Sequence, residues 1–449
     1  MPMTTPVTLP LWLFLLILLF AAVTFASHFL FPSVRWFFRR RMQRAVNRLN
    51  KRLQRPIEPF RLLRRYDLIQ RLVYDPEVTR AIVENARETG DREDVVFQRA
   101  RTYAGEIVPS FSAFAYFGWG VRGARILSNA LYRVRVGRHD PATLATIDPE
   151  ATVVFVMNHR SNMDYVLVTH LVANRSALSY AVGEWAQVWP LSQLIRSMGA
   201  YFIRRKSRDG LYRKVLRQYV GMATRGGVTQ AIFPEGGLSL DGALAPARLG
   251  LLSYMTGAVD LNERDVIFIP VGLNYDRVLE DRILIEAEQG EGRRFNAKIS
   301  TVMAALSKQV WLRLTGRFHR FGYAAVGFGD PVSLRENAEL LANPQDLADT
   351  LMARVSAVVP VLPVPLVAYV LLEGAHSIPT LQASFDAAAR KLDKAHVYVP
   401  RDDPSYTVEV GLRALVERGL VQENDGVVSV SPGSEPVVRF YANSIRHLF

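Results

Sequence analysis

The chain contains no cysteine. That excludes a disulfide framework, a thiolate nucleophile and any cysteine-based zinc site, and it fits a reducing compartment. Met1 to Val34 hold no Asp, Glu, Lys or Arg. A cleaved signal peptide expects positive charge ahead of its apolar run, and none is there. No internal repeat and no low-complexity tract interrupts the rest, so the chain is not built as an array. At 449 residues and 49% hydrophobic content it can bury a large core, with room for helical additions.

What the chain does have at its start is a long apolar run. Leu9 to Phe31 is apolar apart from Pro10, Thr24, Ser27 and His28, and such a length predicts a helix able to cross a hydrocarbon layer of about 30 Å. From Arg35 to Arg65 there follow 12 Arg or Lys against one acid, Glu58, so this block supplies 11 of the 13 net positive charges. By the positive-inside rule that side is cytoplasmic. Trp12, Trp36, Phe37 and Phe38 stand where interfacial anchors stand. The alternatives are a monotopic anchor entering one leaflet and a basic block that binds nucleic acid. Basic residues directly after an apolar run are more simply matched to anionic headgroups. The sequence thus predicts an anchor over residues 1–34 and a basic juxtamembrane and helical region over 35–140. Ser110 to Val136, rich in Phe, Tyr, Trp and Arg, fits either a core helix or an amphipathic segment lying on a bilayer.

Beyond Ala151 strand-like runs alternate with helical ones: Thr152–Met157, Leu178–Val182, Tyr201–Arg204, Thr229–Pro234 and Val266–Asn274. The rhythm predicts an α/β fold, a mixed but mostly parallel sheet flanked by helices, over residues 141–335. Reactive groups in such sheets lie in loops at strand ends, and each polar cluster here begins where a strand stops. The first run ends at His159, with Asp164 following in the sequence HRSNMD. Ser161 or Asn162 can cap a helix that puts Asp164 in its first turn. A carboxylate on Nδ1–H would then leave Nε2 free to take a proton from an alcohol. By itself His-x4-Asp is weak, and a plain surface histidine is the alternative.

The second cluster, GAYFIRRK, puts Arg204, Arg205 and Lys206 at a strand end, as a solvated edge or a phosphate cradle. The third, FPEGG, sets Glu235 before Gly236 and Gly237, as an exposed turn or a close approach of backbone or ligand, and Arg248 lies downstream. The fourth, Val266 to Tyr275, is a nearly uninterrupted apolar strand, either sheet core or the lining of an acyl channel.

In this order the four clusters resemble the membrane-bound glycerol-3-phosphate acyltransferases of the bacterial long type, within the glycerolipid acyltransferases. His159–Tyr165 resembles that family's first motif, Gly199–Arg205 its second, Phe233–Gly237 the start of its third and Ile269–Val271 its fourth. Tyr323–Leu334 is similar to the closing strand with its Gly-x-Pro, and Arg439–Phe449 to the ending of the long enzymes. The resemblance implies His159 as general base, with Asp164 orienting it, in the manner of a Ser-His-Asp triad whose serine is replaced by the substrate alcohol. It implies Arg204, Arg205 and Arg248 as holders of the acceptor's phosphate. Glu235, with Gly236 beside it, would serve the acceptor's other hydroxyl or support the basic residues. Acyl-CoA or acyl carrier protein thioester would be the co-substrate, with glycerol 3-phosphate as acceptor, membrane lipid as a partner, and no cofactor, metal or nucleic acid. The place would be the inner membrane, with the catalytic part facing the cytoplasm. One departure is visible. Where the family's third motif continues with Arg-Ser-Arg, this chain has Leu238 and Leu240. The departure leaves room for another acceptor, lysophosphatidate or dihydroxyacetone phosphate, or for a catalytically silent membrane scaffold. Arg248 or Lys206 could compensate.

After the core, the sequence predicts a helix over Asn296–Gly316 and a mainly helical region over 336–449. Within that region it predicts a buried or interfacial helix starting after Pro360, Pro363 and Pro365, and a hairpin near Asn424-Asp425-Gly426.

Overall fold

The computed structural model describes residues 10–137, 146–173, 176–204, 207, 209–257, 259–290, 321–392 and 397–449. The segment expected as a helix over Asn296–Gly316 lies outside the described residues. The chain divides into two compact units, Met1–Pro56 and Ile57–Phe449.

The first unit is dominated by one helix, Leu11–Asn50. Leu11, Trp12 and the apolar residues from Phe14 to Phe20 are each at least half exposed. The apolar stretch whose side chains are described runs from Leu11 to Thr24, about 21 Å at 1.5 Å per residue. Among the described residues no helix is long and apolar enough to cross a membrane, so the crossing helix expected from the sequence is not found there.

In the second unit the strands are β1 (Arg133–Val136), β2 (Thr152–Met157), β3 (Ser179–Gly183), β4 (Tyr201–Ile203), β5 (Gln230–Ile232), β6 (Val266–Tyr275), β7 (Tyr323–Phe328) and β8 (Val332–Ser333). They form one sheet in the order β1-β7-β6-β2-β5-β3-β4, with β8 beside β6. β2 to β6 run parallel to one another, whereas β7 and β8 pair with β6 antiparallel. This is the mixed, mostly parallel sheet that the alternation predicts. Three further short strands, β9 (His376–Ser377), β10 (Val421–Asn424) and β11 (Val427–Val430), make a separate small sheet.

The central strand shows why the sheet is sandwiched. Every residue of β2 is buried. Val153, Phe155 and Met157 join one core cluster, and Val154 and Val156 join the cluster on the other face. That two-residue period is what a strand covered by helices on both sides requires. The first face is covered by helices Val121–Leu131, Met163–Val172, Pro363–Leu371 and Glu435–Arg446, the second by Arg65–Val73, Pro76–Thr89, Glu93–Ile107, Gly210–Arg225 and Pro344–Ser356.

Two expectations from the sequence are refined. The helix predicted to start after the prolines begins at Pro363 and includes Pro365, and it is buried. The first turn has no intrahelical partners for its N–H groups, so proline costs nothing there. Within Ser110–Val136 the helical part is a core helix on one side only, and the end of the segment is strand β1. A π-helical turn, Ala115–Gly120, runs into helix Val121–Leu131. Tyr116, Ala124, Ser128 and Leu131 are buried, while Phe114, Trp119 and Ile126 are about 70% exposed. The hairpin forms as expected, turning through Asp425 (φ 52°) and Gly426 (φ 75°) between β10 and β11, the positive pair that a two-residue turn needs.

Candidate active site

Because β2 to β6 are parallel, their C-terminal ends share one edge of the sheet. His159 lies just past β2, Arg204 past β4 and Glu235 past β5, and Tyr275 ends β6. The neighbours of β2 are β5 and β6, so the residues those two strands carry converge on His159.

Asn158 directly follows the strand. Its side chain accepts from the Leu273 amide at 2.7 Å and donates to the Leu273 carbonyl at 2.9 Å, which clamps the loop to β6. The chain then turns into helix Met163–Val172, whose first turn holds Asp164. Of the two expected caps, Ser161 supplies the bond. Asn162 makes no side-chain capping bond, while Ser161 Oγ accepts from Met163 N at 3.1 Å.

His159 Nδ1–H donates to Asp164 Oδ2 at 2.9 Å. The same oxygen accepts from the backbone N–H groups of Arg160 (2.7 Å) and Ser161 (3.0 Å), and Oδ1 accepts from Tyr275 OH at 2.7 Å. A carboxylate that is 0% exposed is thereby supplied with four donors. With Nδ1 engaged, Nε2 is the ring nitrogen left for chemistry. The imidazole lies over the Phe233 ring at 4.0 Å between centroids and edge-on to Tyr165 at 5.5 Å.

Glu235 reaches the same loop from β5. Its Oε1 accepts from His159 N at 3.0 Å and its Oε2 from Ala245 N at 3.3 Å. Burial pushes its carboxyl up to about 7, against those two backbone bonds, which pull it down. Gly236 adopts φ +72°, and any Cβ there would press on the Arg248 side chain. Arg248 therefore lies over Gly236, held by its own N–H to the Pro234 carbonyl at 2.7 Å. Ser239 N donates to the His159 carbonyl at 2.9 Å, which ties the third motif to the first. Of the two leucines that replace family arginines, Leu238 packs against the core and Leu240 is 40% exposed.

The structure thus brings His159, Asp164, Glu235, Gly236 and Arg248 together. Arg204 stands apart. It lies three strand spacings from β2 along the same edge, roughly 14 Å, and its guanidinium grips Glu106 through two bonds of 2.9 and 2.7 Å. Arg205 and Lys206 lie outside the described residues.

Sequence reasoning missed Tyr275 and Glu280. The Glu280 carboxylate accepts from Ser161 Oγ at 2.8 Å and from Asn162 N at 3.0 Å, and burial raises its pKa. Tyr275 stood at the end of the fourth motif's strand, where the strand-end rule could have found it. No local spacing announces Glu280. The C-terminal helix Glu435–Arg446 also reaches the site's frame. Asn443 donates to the Asp241 carbonyl at 3.0 Å, and Gly242 (φ +87°) leaves no room for a Cβ beneath the Phe440 carbonyl. Arg160 closes the same contact, donating to the Gly242 carbonyl with its guanidinium 5.0 Å from the Phe440 ring centroid.

The profile of a family described as Acyltransferase matches residues 136–274, and that of a Glycerol-3-phosphate acyltransferase C-terminal region matches residues 312–449. Both matches, with the relatives below, support the glycerol-3-phosphate acyltransferase family of glycerolipid acyltransferases as the one this chain is similar to. Among similar proteins of this family, the glycerol-3-phosphate acyltransferase of Pseudoalteromonas atlantica is 26% identical over 90% of this chain and 52% of its own length. That of Alteromonas mediterranea is 25% identical over 86% and 50%. The chain spans about half the length of the curated relatives it matches. Among solved structures, the 1-acyl-sn-glycerophosphate (LPA) acyltransferase of Thermotoga maritima aligns at a TM-score of 0.30 and 19% identity, covering 53% of this chain and 79% of that one.

Proposed function

We propose that the chain is an acyltransferase that moves a fatty acyl group from a thioester to the 1-hydroxyl of glycerol 3-phosphate. The observation that carries this is the buried His159–Asp164 pair, with Nε2 left for the acceptor, at the edge where Glu235, Gly236 and Arg248 meet. In the proposed step Nε2 takes the hydroxyl proton as the oxygen attacks the thioester carbonyl. The C–O bond forms, the C–S bond breaks, and the proton passes from the imidazolium to the departing thiolate. The products are an ester and a free thiol, with no acyl-enzyme. Asp164 steadies the imidazolium throughout.

In this reading Arg248 meets the phosphate beside Gly236, with Arg204 and Arg205 contributing from farther along the edge. Coenzyme A or acyl carrier protein carries the acyl group, and the chemistry calls on no cofactor. The apolar helix and the basic block behind it anchor the protein at the inner membrane with the catalytic unit on the cytoplasmic side. Leu238 and Leu240 favour a second reading in which the acceptor is another alcohol, such as lysophosphatidate or dihydroxyacetone phosphate.

The test is thioester consumption by reconstituted protein with acceptors offered singly. Turnover with glycerol 3-phosphate, lost by about a hundredfold or more in His159→Ala, is the expected result. Turnover with a different alcohol alone would keep the mechanism and change the acceptor. No turnover with any pair would sink the enzyme reading in favour of a scaffold.

A further inference from the structure

Four observations single out the outer face of the π-turn and the helix after it. The first is exposure: Phe114, Trp119 and Ile126 each leave about 70% of their surface in solvent, far more than isolated apolar surface residues need. The second is register. Five residues in an ordinary α-helix turn the chain through about 500°, so Phe114 and Trp119 would point well apart. The π-helical turn over Ala115–Gly120 takes up the extra residue and brings the two into one stripe, which Arg122 and Ile126 continue. On the inner side of that turn Tyr116 is fully buried and its OH accepts from Leu178 N at 2.9 Å, so the stripe is presented from a rigid support.

The third observation is charge. From Ser110 to Val136 there are four arginines and no Asp or Glu. Arg122 and Arg125 are exposed and form no ion pair among the described residues. The fourth is continuity. Helix Leu191–Ser197 lies alongside, through Ser112 N to the Ser197 carbonyl at 2.9 Å, and a Cβ on Gly120 would strike Met198. Leu194, one turn before Met198, and Trp189 add further exposed apolar surface, and the segment from Gln187 to Met198 also lacks an acid.

We propose that this face is a docking surface for an anionic lipid bilayer, separate in sequence from the apolar run near residue 11. Tryptophan and phenylalanine settle at the headgroup level while flanking arginines meet the lipid charges. A protein partner would have to be acidic and would leave the aromatic stripe to be matched by an apolar groove. A bilayer supplies both features at once. The catalytic unit would then lie on the membrane through its own surface, with the π-turn setting which residues enter.

The absence of cysteine makes the test direct. The full chain, carrying Ile126→Cys with a nitroxide label, is bound to vesicles of phosphatidylcholine with phosphatidylglycerol. Collision rates are read with oxygen, which concentrates in the bilayer, and with a nickel chelate, which stays in water. Glu88→Cys, on a helix packed against the other face of the sheet, serves as control. The expected result is a several-fold fall in chelate collisions and a rise in oxygen collisions at position 126, no change at 88, and reversal at 126 in an Arg122→Glu, Arg125→Glu background. A label that stays open to the chelate overturns the proposal. A label shielded from both reagents, in detergent as in vesicles, would show protein covering the face and overturns it too. Equal immersion in phosphatidylcholine alone would overturn the role given to the arginines. None of these readouts requires turnover, so failure of the acyltransferase reading would register separately.

Discussion

Tyr275 donates its phenolic hydrogen to Asp164 Oδ1 at 2.7 Å while Asp164 Oδ2 receives His159 Nδ1–H at 2.9 Å. The aspartate is therefore held from β6 as well as from its own loop, and its angle to the imidazole is set by a residue 111 positions away. In Tyr275→Phe one donor to a buried carboxylate is lost and the ring packing is kept. A hydrogen bond to a charged group contributes about 1.5–3 kcal/mol, so kcat is expected to fall by about tenfold to a hundredfold with KM for the acceptor little changed. Steady-state kinetics check this. A change confined to KM would remove Tyr275 from the orienting role.

Glu280 holds the loop between His159 and the helix through Ser161 Oγ and Asn162 N. Glu280→Ala leaves both donors without their partner, at about 1–3 kcal/mol each if they stay buried. Lower thermal stability and a reduced kcat are expected together. A double-mutant cycle with Ser161→Ala should return a coupling of about 1 kcal/mol, and a coupling near zero would mean the contact is idle in solution.

Stability should depend on pH through buried acids, two of which are raised to about 7. Burial raises Glu235 from 4.5 to about 7 and Asp276 from 3.8 to about 7. The unfolded chain releases these protons near the ordinary values, whereas the folded chain keeps them to about 7. Across that window the folded state holds more protons, so stability falls as pH rises, and the loss is complete above the raised values. Thermal midpoints of wild type and Glu235→Gln between about pH 5 and 8 give the measurement. Wild type should lose ground relative to the variant as pH rises, with Asp276 still contributing in both. Parallel curves would mean that Glu235 titrates normally.

Gly242 combines a positive φ with contact against the Phe440 backbone. In Gly242→Ala the loop or the C-terminal helix must move. A destabilisation of at least about 1–3 kcal/mol is expected from the backbone conformation and the overlap. A drop in melting temperature accompanied by lost activity would place the C-terminal helix in the upkeep of the site.

The strands β2 to β6 were legible because they are buried almost throughout, and uninterrupted apolar runs between polar loops mark such strands. β2 has the boundaries read from the sequence, and β3 to β6 agree to within two residues. The His159–Asp164 contact was legible for a local reason: both ends lie within one loop and the first turn of one helix. Tyr275 and Glu280 act across 111 and 119 residues of chain, and no local pattern encodes the register between β2 and β6 or the path of the chain beyond β6. For Arg204 the motif shows a basic residue at a strand end, and its partner Glu106, 98 residues earlier, could not be seen from it. For Ser110–Val136 an amphipathic segment was one of the two readings, but which residues face outward was beyond reach, because a π-turn shifts the stripe by a residue and defeats an ordinary helical count.

The brace formed by helix Glu435–Arg446 bears on the order in which the molecule is assembled. Asn443 meets Asp241 across 202 residues, Ser444 meets Asn274 across 170, and Tyr441 meets Asp281 across 160. Each contact closes a long loop of chain, and such contacts are slow to form. The helix that secures the third-motif loop is also synthesised after every other part of the frame. On dilution from denaturant, far-ultraviolet circular dichroism should therefore return before catalytic competence does.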